Sequence, residues 1–191
     1  MNVETQKTTS LETAPVAQWI TIRRNRAPLR LHVWEWAGSG RPFVLLHGLA
    51  SNATTWWAVG GELAAQGRRV IAVDQRGHGR SDKPESGYDF ATVADDLHFL
   101  LQEMAIETPV IAGQSWGGNV VLAYGARYSH VAHRFVFVDG GFLDLQARPD
   151  MTWERVATEL RPPPSRSNAA HLREELLVVL LIRRSWTGIA G

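Results

Sequence analysis

Residues 110–128 read VIAGQSWGGNVVLAYGARY: an apolar run, a serine flanked by glycines, and then a segment that reads as a helix. A strand that ends in Gly-x-Ser-x-Gly and passes straight into a helix makes a sharp turn that lifts the serine hydroxyl above the sheet edge. Glycine at 113 and 117 suits that geometry, because the turn brings backbones close and gives the serine an unusual dihedral that side chains there would obstruct. The helix over 117–128 then starts beneath the hydroxyl, where free N–H groups and the positive end of the dipole favour an oxyanion. The pattern fixes only three positions, and a serine ahead of a helix is also an ordinary N-cap. On these residues alone Ser115 is either a nucleophile or a cap.

The surrounding chain supplies context. RPFVLLHG (41–48), RRVIAVDQRG (ending at Gly77), TPVIAGQS (108–115) and HRFVFVDGG (133–141) each carry a short apolar run closed by Gly or a polar residue. Such runs predict strands covered on both faces. Between them lie predicted helices at 52–67, 89–106 and 117–128; in the second, Val93, Leu97, Leu100, Leu101 and Met104 fall at helical spacing. Ahead of them WITIRR and LRLHVWEWAG alternate apolar and polar residues around an NRAP turn, the period-2 sign of a hairpin. The expected fold class is α/β: a mostly parallel, doubly wound sheet with an N-terminal antiparallel hairpin on one edge.

Composition narrows the function. Twenty Lys and Arg stand against 19 Asp and Glu, which leaves no electrostatic footprint for nucleic acid or an anionic membrane. There is no cysteine, so disulfides, thiolate metal sites and a cysteine nucleophile are excluded. The first residues lack the basic and apolar regions of a signal peptide, and the expected location is cytoplasmic. The apolar run LLVVLLI (176–182) is far shorter than the ~20 residues that span a bilayer.

Two further stretches join the serine turn. LLHGLASNATTW puts His47-Gly48 at the end of a strand, and VDQRGHGRSD follows the next strand. In this order the three resemble the α/β-hydrolase family, in its serine-elbow branch. The resemblance makes Ser115 the nucleophile and the backbone N–H groups of Leu49 and Trp116 the oxyanion hole; His47 then shapes a loop, and Asp74, Arg76 and Ser81 are structural. It implies a small-molecule ester-like substrate, with no cofactor and no metal expected; the near-neutral charge speaks against a nucleic-acid partner, and the short apolar run against membrane association. Relatives that open epoxides or remove halogens use aspartate at the elbow, and Ser115 argues against both.

The triad is harder to complete. The family's chain order is serine, acid, histidine, and only His171 lies well beyond the sixth strand, in NAAHLREELLVV, a polar linker entering a helix. That context does not match the family, and His171 reads as a solvated helix residue. Asp139, closing the sixth strand, is either the acid at an alternative position or an ordinary polar turn residue. The segments expected are a flexible leader (1–17), the hydrolase core (18–141), the start of a lid (142–164) and an atypical tail (165–191). From Arg161 onward five Arg face two Glu, a net of +3. The resemblance therefore looks incomplete at the C-terminus, as in a truncated hydrolase. The expected function is a serine hydrolase acting on an ester or related acyl bond. The alternative is a catalytically inactive remnant serving as an interaction module, open to self-association through an exposed sheet edge.

Overall fold

A computed structural model of the chain describes residues 14–23 and 27–140. All of them lie in one compact unit, Met1–Asp144. The expected lid (142–164) and tail (165–191), with His171, fall outside the described residues, as does the leader up to residue 13.

The elements in chain order are β1 (Val16–Ile22), β2 (Leu29–Trp36), β3 (Gly40–Leu46), a 3-10 turn (Ala53–Trp56) running into α1 (Trp57–Ala65), β4 (Arg68–Val73), α2 (Phe90–Glu103), β5 (Val110–Gln114), α3 (Trp116–Arg127) and β6 (Arg134–Val138). The six strands form one sheet ordered β1-β2-β4-β3-β5-β6. β1 and β2 pair antiparallel, β2 meets β4 antiparallel, and β4, β3, β5 and β6 run parallel. The hairpin thus occupies one edge, as expected. Val16 and Ala17, assigned above to the leader, belong to the sheet, opposite Glu35 and Trp34. Their backbone groups are used in the ladder, so the core begins two residues earlier than the apolar pattern indicates.

Side chains that alternate along the strands feed two cores. On one face Val33, Val44, Leu46, Ile71, Val73 and Ile111 meet the buried stripe of α2 (Val93, Leu97, Leu100, Leu101) and Val120, Val121 and Tyr124 of α3. On the other face Trp36, Leu45, Val70 and Ala72 pack with Trp56 and, less deeply, Val59 and Leu63 of α1. Gly60 lets α1 lie flat on this face, because a Cβ there would sit 2.8 Å from the Trp36 ring.

Helix ends follow local chemistry. Asp89 caps α2 through its carboxylate to Thr92 N–H at 2.8 Å, and these bonds hold its pKa below the usual carboxylate value. At the other end, N–H of Ala105 reaches the Gln102 carbonyl and N–H of Ile106 the Leu101 carbonyl, a Schellman closure with Ala105 at φ 49°. Among the described residues no helix is long and apolar enough to cross a membrane.

Candidate active site

β5 delivers Ser115 to the C-terminal edge of the sheet, and α3 begins at the next residue. Ser115 has φ 50° and ψ −119°, and its side chain makes no capping bond to α3. The N-cap alternative therefore fails: the hydroxyl leaves the helix end to the backbone, where the Ser115 carbonyl accepts from Gly118 N–H at 2.8 Å. The flanking glycines are sterically required. A Cβ at Gly113 would lie 2.2 Å from the Gly117 carbonyl oxygen, and one at Gly117 would lie 2.5 Å from that of Leu46. N–H of Ser115 donates to the Val138 carbonyl at 2.9 Å, which ties the turn to the end of β6.

Beyond β3 the chain turns at Gly48–Ser51, closed by Ser51 N–H to the Gly48 carbonyl. Three successive carbonyls in this turn are held by side chains. The His47 carbonyl accepts from Gln75 Nε2 at 2.8 Å, the Gly48 carbonyl lies 2.7 Å from His47 Nδ1, and the Leu49 carbonyl lies 2.6 Å from His78 Nε2. N–H of Leu49 has no hydrogen-bond partner among the described residues. Neither has N–H of Trp116, the first residue of α3. Gly48 brings the turn against the elbow, since a Cβ there would lie 3.3 Å from Ser115 Cβ.

The loop after β4 shapes this region rather than supplying reactive groups. The Asp74 carboxylate accepts from Ala53 N–H at 2.7 Å and Arg80 N–H at 3.0 Å, and lies 2.9 Å from His32 Nδ1. A Cβ at Gly79 (φ 50°) would fall 2.2 Å from that carboxylate, so only glycine lets the loop wrap it. Ser81 Oγ accepts from His32 N–H and donates to the Asp74 carbonyl. Arg76 makes a two-point pair with Asp96 of α2 at 2.6 and 2.9 Å, which holds the guanidinium above its ordinary pKa.

None of the six described histidines is hydrogen-bonded to Ser115. His47 is buried, and its Nε2 accepts from Gln75 N–H at 3.1 Å. Burial pushes its pKa down to about 4, so it is a neutral strut at pH 7. His32 with Asp74 has the composition of a base and its acid. His32 stands on β2, however, three strand spacings from β5, or ~14 Å at ~4.8 Å per spacing. His98 stacks on Tyr128 at 3.9 Å on the α2 and α3 side. Asp139 follows β6 at φ 48° and is exposed. The next residue, Gly140, touches the elbow: a Cβ there would lie 2.2 Å from the Ser115 carbonyl oxygen. The chain thus brings Ser115, Leu49 and Trp116 together, with Asp139 on the neighbouring strand end. Reading the sequence missed Gln75 and His78, whose roles depend on carbonyls almost 30 residues away; the only signal was a histidine between two loop glycines.

Comparison with known proteins gives a consistent picture. The model of the alpha/beta hydrolase fold family matches residues 41–187. An uncharacterised protein of Mycobacterium tuberculosis is 37% identical over 127 residues, 66% of this chain and 36% of its own length. A putative non-heme chloroperoxidase of Synechocystis is 37% identical over 111 residues, covering 58% of this chain and 40% of that protein. The structure of an esterase from Exiguobacterium antarcticum superposes with a TM-score of 0.66 at 26% identity, covering 75% of this chain and 54% of the esterase. The chain spans well under half the length of the two curated relatives.

Proposed function

Because the chain belongs to the α/β hydrolase fold family, we propose that it carries the nucleophilic half of a serine hydrolase acting on an ester or related acyl bond. The observation that carries this reading is Ser115 held at φ 50° on the strand-to-helix turn with its hydroxyl uncommitted to the helix end. Ser115 Oγ attacks the acyl carbon while its proton passes to a general base. The carbonyl oxygen becomes an oxyanion received by the N–H groups of Leu49 and Trp116, and such donors are typically worth ~3 kcal/mol each. Collapse expels the alcohol, which takes up the proton, and water then repeats the sequence to free the acid and Ser115. Serine rather than aspartate at the elbow favours acyl over epoxide or haloalkane substrates, and the likeness to an esterase points the same way. Asp139 is the acid this reading assigns, by its place beside the elbow.

One observation favours a second reading, an inactive relative that keeps the fold as a binding or interaction module: no described histidine reaches Ser115. Turnover of a short-chain p-nitrophenyl ester by the whole chain, with Ser115→Ala as control, separates the two. Turnover that disappears in Ser115→Ala supports the hydrolase, and Asp139→Asn and His171→Ala then identify the acid and base. Folded protein with no difference from Ser115→Ala supports the inactive reading.

A further inference from the structure

The sandwiching of His78 between the two strand-end turns has a role that neither the family pattern nor the triad assigns. Its Nε2 lies 2.6 Å from the Leu49 carbonyl oxygen, its Nδ1 lies 2.9 Å from that of Arg76, and its own N–H donates to the Gln75 carbonyl at 2.9 Å. Its ring lies between two others, 4.9 Å from His47 and 5.6 Å from the indole of Trp116 at 36°. Trp116 in turn meets Phe90 at 6.0 Å. One side chain therefore touches both residues whose N–H groups are proposed to receive the oxyanion: Leu49 through its carbonyl, and Trp116 through its ring.

We infer that His78 is a positioning residue that sets the spacing of the two halves of the oxyanion hole, an inference that rests on the assignment of Leu49 and Trp116 made above. The reasoning is local. An N–H can point at a reacting oxygen only if its peptide plane is fixed, and a turn at a strand end is free to pivot unless its carbonyls are held. Entering and within the Gly48–Ser51 turn, the His47 carbonyl is held by Gln75 and the Gly48 carbonyl by the His47 ring, whereas the Leu49 carbonyl is held by His78. Without that bond the turn is pinned on one side only. The position of His78 is itself fixed, because Gly79 (φ 50°) lets its loop wrap the Asp74 carboxylate, which also anchors Ala53 N–H two residues beyond the turn.

Two variants separate the bond from the ring. His78→Phe keeps the aromatic contact with Trp116 and removes the ring N–H donor that faces the Leu49 carbonyl, and His78→Gln restores an N–H donor at about the reach of Nε2. The first readout is amide hydrogen exchange followed by NMR on the full chain. The Ser51 amide, which closes the turn, is expected to exchange at least tenfold faster in His78→Phe and to recover most of its protection in His78→Gln, while amides of β3 and β5 stay unchanged. The second readout is the binding of phenylboronic acid, which adds to a serine hydroxyl and places an oxyanion where the two N–H groups point. Affinity is expected to fall tenfold or more in His78→Phe and to be largely rescued in His78→Gln. For ester turnover the same order should appear in kcat, with KM within twofold. Unchanged Ser51 exchange in His78→Phe overturns the inference, as does a Gln variant no better than Phe. If wild type binds no boronate while Ser51 responds as expected, the fault lies with the proposed hydrolase site and the positioning of the turn by His78 stands.

Discussion

Replacing Ser115 by glycine should produce a protein that lacks the proposed nucleophile and is harder to unfold. The φ of 50° with ψ of −119° lies outside the left-handed helical well, in a region that glycine enters freely and other residues do not. Such a conformation costs roughly 1–3 kcal/mol, and the added flexibility of an unfolded glycine returns ~0.5–1 of that. The hydroxyl has no partner among the described residues, so its removal leaves nothing unsatisfied. Ser115→Gly is therefore expected to gain ~1 kcal/mol over Ser115→Ala, which keeps Cβ and with it the strain. Ala105→Gly, at φ 49° in the Schellman closure of α2, supplies a calibrating change away from the site, with a gain of ~1 kcal/mol. Urea unfolding followed by the fluorescence of the eight tryptophans measures all three. With an m-value of ~2 kcal/mol/M, the Gly variant should unfold ~0.5 M above the Ala variant. If Ala105→Gly is stabilised and Ser115→Gly is no more stable than Ser115→Ala, the turn holds no strain and the elbow argument is wrong.

Three further outcomes follow from the same contacts. His47 has its pKa lowered by burial from 6.5 to about 4, so its neutral form stabilises the fold fully above pH ~6.5, and up to about 3 kcal/mol is lost as pH falls to ~4; His47→Gln should flatten stability across that window in acid titrations of the urea midpoint. Asp96→Ala leaves the Arg76 guanidinium without its two-point partner and should cost ~3–5 kcal/mol by urea unfolding, more than the double variant with Arg76→Met. Gly117→Ala forces a Cβ to within 2.5 Å of the Leu46 carbonyl and should cost ~1–3 kcal/mol while abolishing any turnover that depends on Ser115, since the helix start must move away from β3.

The strands and the elbow were legible because their determinants are local. Apolar runs closed by polar residues mark strands whatever their partners, and Gly113 and Gly117 are needed by the turn itself. The stripe of α2 was equally plain, except that Asp96 lies buried on that face. Its reason is Arg76, 20 residues earlier, and no periodicity contains it. Gln75 and His78 were illegible for the same cause: each acts on a carbonyl of the 47–49 turn, and a backbone oxygen leaves no trace in the sequence of residue types. Even the pairing of His32 with Asp74 misleads when read by composition, because the sheet order sets it three strands from the serine.

The arrangement also bears on whether Ser115 is there for chemistry. A turn that only had to join β5 to α3 would be less strained with glycine at 115, and it would have no need for a second turn, from β3, drawn against it with N–H of Leu49 left without a partner among the described residues. Both features cost stability where they stand: a strained residue ~1–3 kcal/mol, and a donor without a partner as much as its incomplete solvation demands. Structural economy explains neither. The roles proposed above for Ser115, Leu49 and Trp116 call for both, because donors useful to an oxyanion are those not already satisfied by the protein.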